Sequence, residues 1–129
     1  MATGFPANTG DILSAAMYNG LVTYAINAQT TTAYVPVSTD GYQTLITVNN
    51  ASANTLKIPT NATTAFAVGT VITVLNIGAG TCTISAVTSG TTTVLSAGAT
   101  AASPTLAQYK SAALIKTAAD IWYVVGAIS

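Results

Sequence analysis

Histidine, arginine and glutamate are absent from this 129-residue sequence, and cysteine occurs once, as Cys82. Charged residues make up only 5% of the chain, Asp11, Asp40 and Asp120 against Lys57, Lys110 and Lys116, and the formal net charge is zero. Each absence closes off a kind of chemistry. General acid–base catalysis needs titratable groups brought together, an activated nucleophile needs a base, and zinc or iron sites need imidazole or thiolate clusters. Neutralising nucleic-acid phosphates takes a concentration of Lys and Arg that three scattered lysines do not supply. The composition predicts no enzyme, no catalytic residues, no metal or cofactor and no nucleic-acid partner. A single cysteine also excludes a disulfide within the chain. Alternation sets Cys82 on one face with Ile84 and Ala86, as a buried, inert thiol.

Long apolar runs are missing as well. The most apolar window, residues 65–77, is interrupted by Thr70, Thr73 and Asn76 and is too short to cross a bilayer as a helix. The opening Met1-Ala2-Thr3-Gly4-Phe5-Pro6 lacks the basic stretch and long apolar run of a signal peptide. A soluble protein without a membrane partner is expected.

Half of the residues are nonetheless apolar. Low charge with high hydrophobicity is the reverse of a disordered composition, so the chain folds, and its length suits one domain. A domain of this size buries roughly two-thirds of the surface that its unfolded chain exposes. With so few charges, apolar surface remains outside the core, and a contiguous patch of that kind marks a contact surface. Assembly is expected in preference to a monomer covered by Thr, Ser, Asn and Gln.

Two unequal parts are expected, 1–31 and 32–129. In the first, Thr9 or Asp11 caps a helix from Asp11 to about Ala28, with Ile12, Leu13, Ala16, Met17, Leu21 and Tyr24 on one stripe of 3.6-residue period. The stripe either packs on the chain's own sheet or meets copies of itself or a partner. The second part reads as strands. Tyr34-Val35-Pro36-Val37 is an edge segment because proline cannot donate to a ladder. Asp40-Gly41 turns into a strand from Tyr42 to Val48, and Thr55 to Ile58 is stopped by Pro59. Thr70 to Ile77 reads as a strand buried on both faces, and Gly78-Ala79-Gly80 as the turn of a hairpin into Thr81 to Ala86. Thr91 to Leu95 follows. Tyr109 to Lys116 and Ile121 to Val125 form a last hairpin around Ala118-Ala119-Asp120, with Trp122 and Val124 on one face and Ile121, Tyr123 and Val125 on the other. Seven or eight short strands with Gly, Asn and Asp between them predict a mainly β chain, an antiparallel β-sandwich or barrel with an N-terminal arm and one helix.

Gly10-Asp11-Ile12-Leu13-Ser14-Ala15-Ala16-Met17-Tyr18-Asn19 resembles the "GDxLTAAxxN" opening of tailed-bacteriophage fibre and appendage proteins. From Leu56-Lys57-Ile58-Pro59 through Gly69-Thr70-Val71-Ile72-Thr73-Val74 and Gly78-Ala79-Gly80-Thr81-Cys82-Thr83-Ile84, the chain resembles a β-rich module of phage virion proteins. That likeness continues through Tyr109, Ala113-Leu114-Ile115-Lys116 and Trp122-Tyr123-Val124-Val125-Gly126. The resemblance implies a virion component, commonly a homotrimer, with an N-terminal attachment element and an outward β head. Fibres usually carry a long shaft, whereas only Thr30 to Thr39 separates the two parts here, which favours a compact knob on the shell. The leading expectation is a capsid decoration (cement) protein on the outer surface of the particle, assembled in the host cytoplasm, with the major capsid protein as partner. Phe5, Pro6, Ile12, Leu13, Met17, Leu21 and Tyr24 are the expected attachment or oligomerisation residues.

Three other readings stand beside it. A fibre tip that recognises a host glycan would use Tyr34, Asp40, Tyr42 and Gln43, grouped around one turn, as outward contacts. An ice- or surface-binding protein would use Thr30-Thr31-Thr32 and Thr91-Thr92-Thr93, although the strand spacing is irregular for a flat ladder. An enzyme would have only Asp11, Asp40 and Asp120 as acids, and capping and turn formation explain those better.

Overall fold

The computed structural model describes Ser14, Ala15, Asn19 and residues 23–129. Ten strands follow one another: β1 (Ala25–Gln29), β2 (Ala33–Tyr34), β3 (Thr44–Val48), β4 (Asn54–Ile58), β5 (Val71–Asn76), β6 (Cys82–Ala86), β7 (Thr93–Ser96), β8 (Thr105–Leu106), β9 (Ser111–Ala118) and β10 (Ile121–Gly126). A 3-10 turn, Ser38–Gly41, lies between β2 and β3.

These strands make a six-stranded sheet in the order β1-β3-β5-β9-β10-β7 and a four-stranded sheet in the order β2-β4-β6-β8. The fold is mainly β, two sheets of short strands around a shared core, as the residue pattern predicts. Strand direction departs from the antiparallel arrangement expected. β1, β3 and β5 are parallel to one another, and so are β2, β4 and β6. A parallel pair needs a crossover; here the crossover is a strand of the opposite sheet, so the chain winds as a two-sided coil. Among the described residues, antiparallel pairing is confined to β5–β9, β9–β10 and β6–β8.

The coil corrects a second expectation. Gly78-Ala79-Gly80 is a corner between sheets, since β5 and β6 never pair. The corner lies directly on that of the preceding turn. A Cβ on Gly78 would stand 2.3 Å from the Asn50 nitrogen, and one on Gly80 would stand 2.0 Å from the Ser52 oxygen. Asn76, wholly buried, serves the corner from inside by donating to the carbonyls of Gly80 and Leu106, both at 2.8 Å.

β1 corrects a third. Half of the expected helix to Ala28 lies outside the described residues, and Ala15 and Asn19 are helical. Asn19 closes a last turn by accepting from the Thr23 nitrogen and Oγ1 at 3.1 and 2.6 Å. Beyond it the chain is extended. Ala25, Asn27 and Gln29 alternate with exposed Ile26 and Ala28, and pairing with β3 overrides the 3.6-residue stripe.

After β6 the coil is interrupted. β7 returns to the larger sheet in the same direction as β5, but the β9–β10 hairpin occupies the place between them. The core lies between the sheets, with Ile46, Ile72, Val74, Leu114, Trp122 and Val124 from one meeting Leu56, Ile58, Cys82, Ile84 and Leu106 from the other. Cys82 is wholly buried, and burial pushes its thiol up to about 11.

Candidate interaction surface

Alternation gives each sheet an outward face, and the two differ in chemistry. On the four-stranded sheet Thr55, Thr83 and Thr105 lie side by side across three strands, with Lys57 beside Ser85 in the next row. That face is hydroxylated and carries an exposed charge.

The outward face of the six-stranded sheet is apolar. One row runs Val71, Ile115, Tyr123, Leu95 across β5, β9, β10 and β7. The next runs Ile26, Leu45, Thr73, Ala113, Val125 across β1, β3, β5, β9 and β10. Ile26 is 62% exposed, Val125 48%, Val71 47%, Tyr123 43% and Leu95 38%, so this face is open in the isolated chain. At one end Leu95, Tyr123, Val125 and Ile128 line a shallow depression of ≈ 380 Å³. Neither row contains a charged side chain. Lys57 belongs to the other sheet, Lys110 to an exposed loop, and Asp40 and Lys116 are buried. Six strands about 4.8 Å apart and about five residues long project roughly 500 Å². Side-chain relief raises that towards the roughly 800 Å² that each partner gives to a standard interface.

Of the expected attachment residues, Phe5, Pro6, Ile12, Leu13, Met17 and Leu21 lie outside the described residues. Tyr24 is 58% exposed just before β1. The residues expected as outward contacts do not form one surface. Asp40 is only 2% exposed. Its Oδ2 accepts from the Tyr34 hydroxyl at 2.5 Å and the Val37 nitrogen at 2.9 Å, and its Oδ1 accepts from Asn27 Nδ2 at 2.8 Å. Asn27 Nδ2 also lies 2.8 Å from Tyr34 Oη, and Gln29 Nε2 donates to Asn27 Oδ1 at 2.7 Å. The network faces inward because Asn27 and Gln29 pair in register with core-facing Ile46 and Val48. It closes the first turn of the coil with polar groups where later turns carry aliphatic ones. Burial, then the hydrogen bond to Asp40, pushes the Tyr34 phenol up to about 12. Tyr42 stands apart, 60% exposed, and Gln43 is half-buried with φ 46°.

The other described aspartate serves a separate cluster. Asp120, at φ 56° in the β9–β10 turn, accepts through Oδ1 from the Asn61 nitrogen at 2.8 Å and Thr92 Oγ1 at 2.9 Å. The two carboxylates are thus absorbed by different loops. Thr92 is buried as well, so Thr91-Thr92-Thr93 is not one exposed ladder. Sequence reasoning missed the inward position of Lys116, although Ala112, Leu114 and Lys116 alternate along β9 on its buried side.

No protein-family model, curated protein or solved structure matches the chain.

Proposed function

We propose that this chain is a non-enzymatic structural protein of a tailed-bacteriophage particle, a capsid decoration protein that binds the outer shell as a homotrimer with the major capsid protein as partner. The observation that carries the reading is the chargeless apolar face of the six-stranded sheet, set opposite a face of threonine and serine hydroxyls. One face suits burial against protein, the other suits water. The opening from Gly10 to Asn19, with its resemblance to phage appendage proteins, supports the particle as the setting. The near-absence of ionisable groups supports a binding role. Contacts built on apolar and hydroxyl groups persist across ionic strength, whereas exposed ion pairs weaken with salt. Three linked subunits raise effective affinity without a strong individual contact.

The test is co-sedimentation of the purified full chain with undecorated shells of the phage that encodes it, at low and at molar salt. Binding that survives molar salt is the expected result. Shells that pellet without the protein under both conditions overturn the reading. Light scattering on the free protein checks the trimer, and Tyr123→Lys separates the surface from the fold: it should lower binding or assembly while leaving the unfolding midpoint in place.

A further inference from the structure

Lys116 is 2% exposed, and its ammonium is held by two neutral oxygens. Nζ donates to Asn61 Oδ1 at 2.5 Å and to the Phe66 carbonyl at 2.6 Å. A buried charge offset only by neutral acceptors costs free energy. Aromatic rings lie beside the amine. Trp122 is the register partner of Lys116 on β10, and the ring of Phe66 lies edge-on to that of Trp122 at 5.5 Å. Asn61 is fixed from its other side, because its backbone N–H is bound by Asp120 Oδ1 at 2.8 Å. Amine and carboxamide are thereby pressed together by two parts of the chain 55 residues apart.

We propose that Lys116 and Asn61 join in an intramolecular isopeptide bond. The C=O bond of the carboxamide adds ~1.2 Å to the Nζ···Oδ1 separation, so Nζ lies no more than ~3.7 Å from Cγ, close to the ~3–3.5 Å of an attacking pair. One ammonium proton passes along the hydrogen bond to Oδ1, which leaves on Nζ a lone pair to attack Cγ. The Nζ–Cγ bond forms, the Cγ–Nδ2 bond breaks, and Nδ2 departs carrying the protons that Nζ gives up. Ammonium plus carboxamide becomes secondary amide plus ammonium ion. Nothing is oxidised or reduced, and no co-reactant is consumed. The product removes the buried charge, and it ties the loop bearing Asn61 to β9 by a covalent bond. Asp120 acts as a positioning residue, holding the backbone of Asn61 in place.

Intact mass of the full chain, measured after unfolding, tests this directly. The expected protein is one ammonia lighter than its sequence, Lys116 resists trypsin, and residues around 61 and 116 are recovered in one branched peptide. A succinimide at Asn19-Gly20 loses the same mass, so the location decides. Loss mapped to Asn19 with Asn61 and Lys116 intact overturns the proposal, and so does a folded chain that keeps its full mass after prolonged incubation. Lys116→Met and Asn61→Ala should both retain that ammonia. If either variant fails to fold, the peptide map of the unsubstituted protein still gives the answer. Asp120→Asn tests the positioning role: the mass loss should accumulate more slowly in protein that stays folded, whereas an unchanged rate assigns Asp120 to the turn alone.

Discussion

Phe66 meets Trp122 edge to face, with ring centroids 5.5 Å apart and planes at 88°. The contact clamps the connection between β4 and β5 onto the last strand, and Trp122 is only 1% exposed beneath it. Trp122→Ala should therefore lower stability by about 3–5 kcal/mol, the range for deleting a large core aromatic. A denaturant titration measures it, and a loss below about 1 kcal/mol would place the indole outside the core.

The glycines of the coil separate into two kinds. A Cβ on Gly80 collides with backbone of the preceding turn, whereas one on Gly90 meets nothing within 4 Å. Gly80→Ala should cost about 1–3 kcal/mol or more, as overpacking does. Gly90→Ala should be neutral or stabilise by up to about 1 kcal/mol through the unfolded chain. Paired thermal melts compare them, and equal effects would contradict the stacked corner.

Tyr34 gives the fold an alkaline limit. Its phenol is raised from 10.0 to about 12, so the folded chain holds this proton more tightly than the unfolded chain does. That contribution to stability is complete below about pH 10 and is lost as pH rises through about 12. Ultraviolet titration of phenolate should show a step near 12 that is missing in Tyr34→Phe. The same variant removes one donor from the buried Asp40 carboxylate and should cost about 1–3 kcal/mol at neutral pH.

Much of the strand content was legible from the residues, because β3, β4, β6, β9 and β10 alternate and are bounded by Gly, Pro, Asn or Asp; β5 was read as buried on both faces, but only one face is, and Val71 on the other is 47% exposed. The winding was not. Ala25 pairs with Thr44 but Leu45 with Thr73, so successive turns differ in length and leave no repeat in the sequence. β1 was hidden because Leu21 and Tyr24 extend a helical stripe to its edge, and β8 has only two residues. Period-two reasoning put Tyr123 and Val125 together, but the breadth of their face depends on which strands lie beside β10, and only the sheet order supplies that. Tyr34 and Asp40 were grouped by closeness along the chain. Their inward direction depends on the register of β1 against β3, which no local pattern encodes.

The placement of the β9–β10 hairpin has a consequence for how the molecule is made. As the chain leaves the ribosome, β1 through β6 can wind in order, each strand from β3 onward settling on one already in position. Thr93–Ser96 cannot do so: its ladder neighbour among the described residues, Ile121–Gly126, is synthesised later. The larger sheet thus waits open until the last strand arrives, and its closure links remote parts of the chain in one late, cooperative event.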